Sequence, residues 1–318
     1  MSKHPVIYVN LKGRIGNQLF QYAMAKHLQR QYKEFFNQDA CIVLCDYEVL
    51  SLNWLNSLQY YSLSDVKYVH KHISIRHPLM ALKRKIVTSF YQKYNDRYME
   101  SLSQIFEDEK RTQSWFNKHG IITCENGLIN YQLYNGKSIY LNGYFQSEDY
   151  FNDVKDDLLY NDFSVEQFEG ELERYSNLKK IKNSNTVCIS IKVEHNSGNC
   201  IYDVCNHGYW QRAFDYIIRH VENPYFMICS DNVDYVLKEL IDVNKYDYCV
   251  QDKNAPVHVS LAAMSLCKHF IIGNTSFGWW AQEMSVNKDK IVCVPSKWLN
   301  IQAPVDCIYQ KHMIKIEV

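Results

Sequence analysis

Apolar and polar positions alternate along this chain with two distinct periods. Residues 6–9 form a short β-branched and aromatic run, residues 16–31 carry Leu19, Phe20, Ala23 and Leu28 at helical spacing, and residues 41–45 return to a continuous apolar run. The chain therefore opens strand, helix, strand. After this the pattern loosens into helical and irregular segments until about Thr186. From there it predicts strands at 187–193, 225–229, 248–250, 269–272 and 291–294, with helices at 207–221, 233–241, 257–267 and 277–285 between them. Such alternation is the signature of a doubly wound parallel sheet. The polar stretch 175–185 separates the two halves and is the expected hinge. It divides the chain into an N-terminal domain at 1–175, a C-terminal domain at 186–300 and a tail at 301–318.

Composition narrows the class. With 318 residues, 47% hydrophobic and 14% aromatic, the chain can bury a sizeable core. Lys plus Arg equals Asp plus Glu at 35 each, so no global field recruits nucleic acid. Charge is segregated locally instead. Residues 67–93 hold seven Lys/Arg, three His and no carboxylate, whereas residues 148–173 hold ten carboxylates against the single Lys155. The eleven cysteines show no Cys-x-x-Cys pair, which excludes a zinc framework, and several lie inside apolar runs, as expected in a reducing compartment. Residues 1–5 lack the apolar core of a signal peptide, and no run of eighteen apolar residues occurs. The expectation is a cytoplasmic protein without a spanning helix.

In an open parallel sheet the ligand lies beyond the carboxyl ends of the strands, so the residues just after each strand carry the candidate chemistry. After 6–9 comes Gly13-Arg14-Ile15-Gly16-Asn17-Gln18-Leu19-Phe20-Gln21-Tyr22-Ala23, a tight turn into a helix whose N-terminus suits an anion. Gly13 and Gly16 lack the third glycine of a dehydrogenase fingerprint. After 225–229 comes Ser230-Asp231-Asn232, three good helix caps. After 269–272 comes Gly273-Asn274-Thr275-Ser276-Phe277-Gly278-Trp279-Trp280, again hydroxyls and amides at a helix start, followed by tryptophans suited to a core. The segment Tyr140-Leu141-Asn142-Gly143-Tyr144-Phe145-Gln146-Ser147-Glu148-Asp149-Tyr150-Phe151 sets aromatics beside amide and carboxylate groups. That combination can stack on and hydrogen-bond a sugar, and it is equally the composition of a core strand.

These four blocks, in this order and spacing from Val6 to about Trp298, resemble the bacterial α-1,2-fucosyltransferases. The resemblance implies a GT-B fold, two Rossmann-like α/β domains facing a cleft, with inversion at the anomeric carbon and no cofactor or metal. It implies as partners a GDP-L-fucose or similar GDP-deoxysugar donor and a galactose-terminated oligosaccharide acceptor. Carried over, Gly13, Gly16, Asn17 and Gln18 would lie near the donor phosphates and sugar, and Asp231 would contact guanine. Asn274, Thr275, Ser276 and Phe277 would hold the pyrophosphate and nucleoside, and Tyr144, Phe145, Gln146 and Glu148 the substrate.

One block departs from that family. Where its members carry His-x-Arg-Arg-x-Asp, this chain reads Lys192, Glu194, His195 and Ser197. Arginine clamps a diphosphate through paired donors that lysine does not reproduce. Three readings follow: the charge has moved to Arg14, with Lys12 and Lys192 also at hand; the donor is another GDP-linked deoxysugar such as colitose; or the chain is a catalytically silent sugar-binding relative. Transfer also needs an acceptor for the hydroxyl proton, for which Glu194, His195, Asp203 and Glu148 are the candidates. The basic stretch 70–77 and the apolar-basic segment 79–87 suit either an interfacial helix near anionic lipid, and so a lipid-linked acceptor at the inner membrane, or a solvated basic face.

Overall fold

The computed structural model describes residues 4–70, 77–193, 201–243 and 245–318. The chain divides into two units, Met1–Asp162 with Gln302–Ile308, and Phe163–Ile301 with Tyr309–Val318. Each is built on one parallel sheet; the alternation predicted this for the second unit, and for the first only its opening strand, helix, strand.

The first sheet contains β1 (Val6–Asn10), β2 (Cys41–Cys45), β3 (Val66–Val69), β4 (Ile121–Cys124) and β5 (Ile139–Gly143) in the order β3-β2-β1-β5-β4. All pairs are parallel. Helices α1 (Ile15–Phe36), α2 (Tyr47–Ser51), α3 (Pro78–Gln92) and α4 (Leu102–Lys118) belong to this unit. β4 and β5 are buried at every position, so their residues are uniformly apolar or internally bonded. Gly143 sits at φ +143°, where a Cβ would stand 2.0 Å from the Cys124 carbonyl oxygen, so only glycine lets β5 close on β4 at this point.

The second sheet contains β6 (Asn185–Ile191), β7 (Pro224–Ser230), β8 (Tyr248–Val250), β9 (His269–Ile272), β10 (Val292–Pro295) and β11 (Met313–Ile316). Its order is β11-β10-β9-β6-β7-β8, again all parallel. Renumbered from β6, this is the strand order of the dinucleotide-binding fold. The expected fold class, two Rossmann-like α/β domains, therefore holds.

The division of the chain differs from the expected hinge. It falls at 162/163 because Phe163 packs edge-on against Trp280, 5.5 Å between centroids, and Phe168 packs against His258 at 5.1 Å. The polar stretch 175–185 instead contains the helix Leu178–Asn183, whose Ile181 is fully buried. The expected tail is likewise split: 302–308 belongs to the first unit, while β11 extends the second sheet.

Candidate functional site

In the first sheet β1 is central, between β2 and β5, and in the second the strand order reverses between β6 and β9. Ligands of parallel α/β sheets lie beyond the carboxyl ends of the strands, at such a reversal above all. The sequence blocks sit there: Leu11–Arg14 follows β1, Tyr144–Gln146 follows β5, Lys192 follows β6 and Gly273–Ser276 follows β9.

The turn after β1 is locked from inside. Gly13 adopts φ +69°, and a Cβ there would lie 2.2 Å from Asn17 Nδ2. Gln18, fully buried, donates to Gly13 O and Leu55 O at 2.9 Å each and accepts from Ser57 N at 2.8 Å. Gln21 clamps both backbone groups of Lys12. Asn17 accepts from Gln146 Nε2 at 2.8 Å, joining the turn to the segment after β5. Gln18 therefore shapes the turn and offers no polar atom to a donor, which corrects the role expected for it. Gly16 is buried in the first turn of α1, with Leu19, Phe20, Tyr22 and Ala23 in the core. Arg14 is exposed in the N-cap position of this 22-residue helix, and its guanidinium has no partner among the described residues.

Behind the turn lies a buried charged network that the sequence did not signal. Lys12 Nζ meets Glu125 Oε1 at 2.6 Å and lies 5.4 Å from the Tyr144 ring and 5.7 Å from the Tyr91 ring. Burial alone would lower the lysine's pKa. Glu125, Tyr144 and Glu48 outweigh that effect and hold it above its usual value. Glu109 on α4 accepts from Glu125 N at 3.0 Å and from the Tyr91 hydroxyl through Oε1, while its buried Oε2 has no partner. Burial, then the Glu125 charge, pushes this carboxyl up to about 8, so it is neutral at pH 7. The Tyr98 hydroxyl bonds to Glu125 and is raised by burial and by that carboxylate. Asn10 donates to Glu48 and to Asn142 across the strand ends.

The segment after β5 is only partly available. Tyr144 and Gln146 are half-buried, with Tyr144 over the lysine. Phe145 is 1% exposed and packs edge-on against Tyr150, so it belongs to the core and not to a sugar surface. Glu148 pairs with Lys155 at 3.3 Å.

In the second unit the strand ends are tied by neutral and carboxylate caps. Thr275 caps the helix Ser276–Glu283 by accepting from Gly278 N at 3.1 Å, and Ser276 and Phe277 are half-buried in its first turn. Asn274 is turned inward: its amide donates to Tyr202 O and Trp298 O, both at 3.0 Å, and accepts from the Cys205 thiol. It organises the loop and does not present its side chain to a pyrophosphate, contrary to expectation. Trp279 and Trp280 are core residues. The cap after β7 is Asn232, whereas the exposed Asp231 accepts from Val193 N at 2.6 Å and so binds the end of β7 to the end of β6. Lys192 is half-buried beside it, and Asp203 is half-buried with its carbonyl taken by Asn300. Glu194 and His195 lie outside the described residues. Among the described residues no group of three His, Cys, Asp or Glu is placed to hold a metal ion.

The family model described as glycosyl transferase family 11 matches residues 6–317. The O-antigen biosynthesis glycosyltransferase WbnK of Escherichia coli is 25% identical over 312 residues, covering 92% of this chain and 94% of the relative. An alpha-1,2-colitosyltransferase of Escherichia coli is 21% identical over 300 residues, covering 92% of each. Among solved structures, NodZ alpha-1,6-fucosyltransferase soaked with GDP-fucose superposes with a TM-score of 0.48 at 11% identity, over 89% of this chain and 93% of that one. With the family model spanning nearly its whole length, this chain belongs to glycosyl transferase family 11.

Proposed function

We propose that the protein transfers a 6-deoxy sugar, L-fucose or colitose, from a GDP donor to a galactoside hydroxyl in α-1,2 linkage, with inversion and without a metal, during bacterial O-antigen or capsule assembly. The observation that carries this reading is the gathering of the family blocks at the carboxyl ends of neighbouring strands, β1 and β5 in the first sheet and β6 and β9 in the second. The two relatives, one an O-antigen glycosyltransferase and one a colitosyltransferase, support the pathway and the choice of sugars.

During transfer the acceptor oxygen bonds to the anomeric carbon as the bond to GDP breaks. Negative charge then gathers on the leaving diphosphate. Arg14 answers that charge: it is exposed, unpartnered among the described residues, and stands at the positive end of α1. Lys12 does not compete for this role, because Glu125 already neutralises it. Calorimetric titration with GDP, GDP-L-fucose and UDP, beside an assay of GDP release, tests the reading. Binding of GDP and not UDP, with turnover, is expected. The replaced arginine motif favours a second reading, a silent sugar-binding relative, and binding of neither nucleotide would select it.

A cytoplasmic enzyme touching the inner membrane peripherally fits α3, whose Leu79 and Leu82 are exposed while Met80 and Val87 face the core. Of the apolar-basic segment 79–87, Lys83 is buried and donates to Gly120 O and Ser138 O, so it takes no part in such a face, and residues 71–76 of the basic stretch lie outside the described residues. Flotation that is indifferent to anionic lipid would remove the membrane contact.

A further inference from the structure

A histidine–carboxylate pair stands at the carboxyl ends of β2 and β3 in the first sheet. His70 follows β3, and its ring is 62% exposed. Its Nδ1 lies 2.8 Å from Oδ2 of Asp46, a carboxylate at the end of β2 that is itself 1% exposed. No described residue bonds to the other ring nitrogen.

The carboxylate is committed to this contact. Asp46 occupies the N-cap position of α2, where aspartate ordinarily caps, yet its side chain makes no capping bond. The second bond to Oδ2 comes from Asn56 Nδ2 at 2.8 Å, and the buried Oδ1 has no partner. Asn56 is in turn held by Gln18, which bonds the residues on either side of it, Leu55 and Ser57, and also Gly13. One hydrogen-bonded chain thus runs from the family turn through 55–57 and Asp46 to His70. Among the described residues, the charged or titratable groups facing the imidazole are Asp46 from the β2–α2 junction and Tyr68 from β3, its ring stacked at 6.2 Å. The other acid of α2, Glu48, is taken by Asn10.

A buried carboxylate that fixes one nitrogen of an exposed imidazole orients the other as a base and steadies the imidazolium once formed. We propose that His70 Nε2 accepts the proton of the attacking acceptor hydroxyl and that Asp46 is its positioning residue, an inference that rests on the glycosyl-transfer reading above. In the step, the hydroxyl oxygen bonds to the anomeric carbon and the anomeric carbon–phosphate oxygen bond breaks. Its electron pair leaves with GDP, the hydroxyl proton passes to His70, and solvent later removes it.

The test uses the full chain and its His70→Asn and Asp46→Asn variants. GDP release from GDP-L-fucose and GDP-colitose is followed with methyl β-galactoside and N-acetyllactosamine as acceptors, from about pH 5 to about pH 9 to span the histidine range. His70→Asn is expected to lower kcat by roughly 10²–10⁴-fold with GDP affinity unchanged, to flatten the acidic limb of the pH profile, and to recover in part with added imidazole. Asp46→Asn should displace that limb with a smaller loss. Because the ring is largely exposed, the His70 variant should keep the wild-type urea midpoint. A His70→Asn protein that turns over within about twofold of wild type, with the same pH profile, overturns the assignment. A wild-type protein that binds no GDP and releases none rejects instead the reading on which it rests.

Discussion

The strand-end loops of the two units solve the same architectural problem with different chemistry. In the first unit the strand ends are underpinned by a buried charged set, Lys12, Glu125 and Glu109, and by two wholly internal glutamines. In the second, a threonine hydroxyl, two asparagine amides and one carboxylate tie the loops, without a buried ion pair at the strand ends among the described residues. The lesson is that most polar residues of a family motif are spent on holding the turn. Those left over for a ligand are few, and in the first unit the unspent charge is Arg14.

The sharpest way to break this contrast is to remove the buried cation. Lys12→Ala leaves Glu125 charged and buried beside Glu109, and should cost about 3–5 kcal/mol in urea unfolding, whereas Lys12→Met with Glu125→Gln together should cost much less. An equal loss in both would show that the pair is not what supports the turn. Next comes pH. Glu109 titrates at about 8 when folded against an ordinary value of 4.5, so it binds its proton more tightly in the native state and stability from this group falls as pH rises from about 4.5 to about 8. Burial lowers Lys83 from 10.5 to about 8, so its contribution rises again from about 8 to about 10.5. The two groups together predict a stability minimum near pH 8, whose acidic side vanishes in Glu109→Gln and alkaline side in Lys83→Met. Smallest is the second unit's cap: Thr275→Ala should cost about 1 kcal/mol, measurable as a shift in the unfolding midpoint.

Much of this was legible from pattern. The runs at 41–45 and 269–272 are buried nearly throughout, so their apolar character is continuous and their bounds coincide with the predicted strands. β3 and β11 each carry an exposed lysine within four residues, which masks a short edge strand as loop. The helix expected at 233–241 instead becomes a short α-turn followed by a π-turn at Val236–Leu240. At the site, motif identity located the turns but did not distinguish residues that touch a ligand from residues that shape its seat. Gln18, Phe145 and Asn274 all proved inward-facing for that reason. The Lys12–Glu125–Glu109 network was invisible because its members are brought together only by the pairing of β1 with β5 and β5 with β4, and by the packing of α4 on β4.

The central proposal is that Arg14, at the N-terminus of α1, meets the charge of the leaving diphosphate. Calorimetric titration of wild type and Arg14→Ala with GDP and UDP, beside GDP release from GDP-L-fucose, tests it most directly. The account predicts that wild type binds GDP and not UDP, and that Arg14→Ala loses roughly 10²–10³-fold in turnover, about 3–4 kcal/mol, with an unchanged unfolding midpoint. GDP affinity and turnover untouched in Arg14→Ala would contradict it.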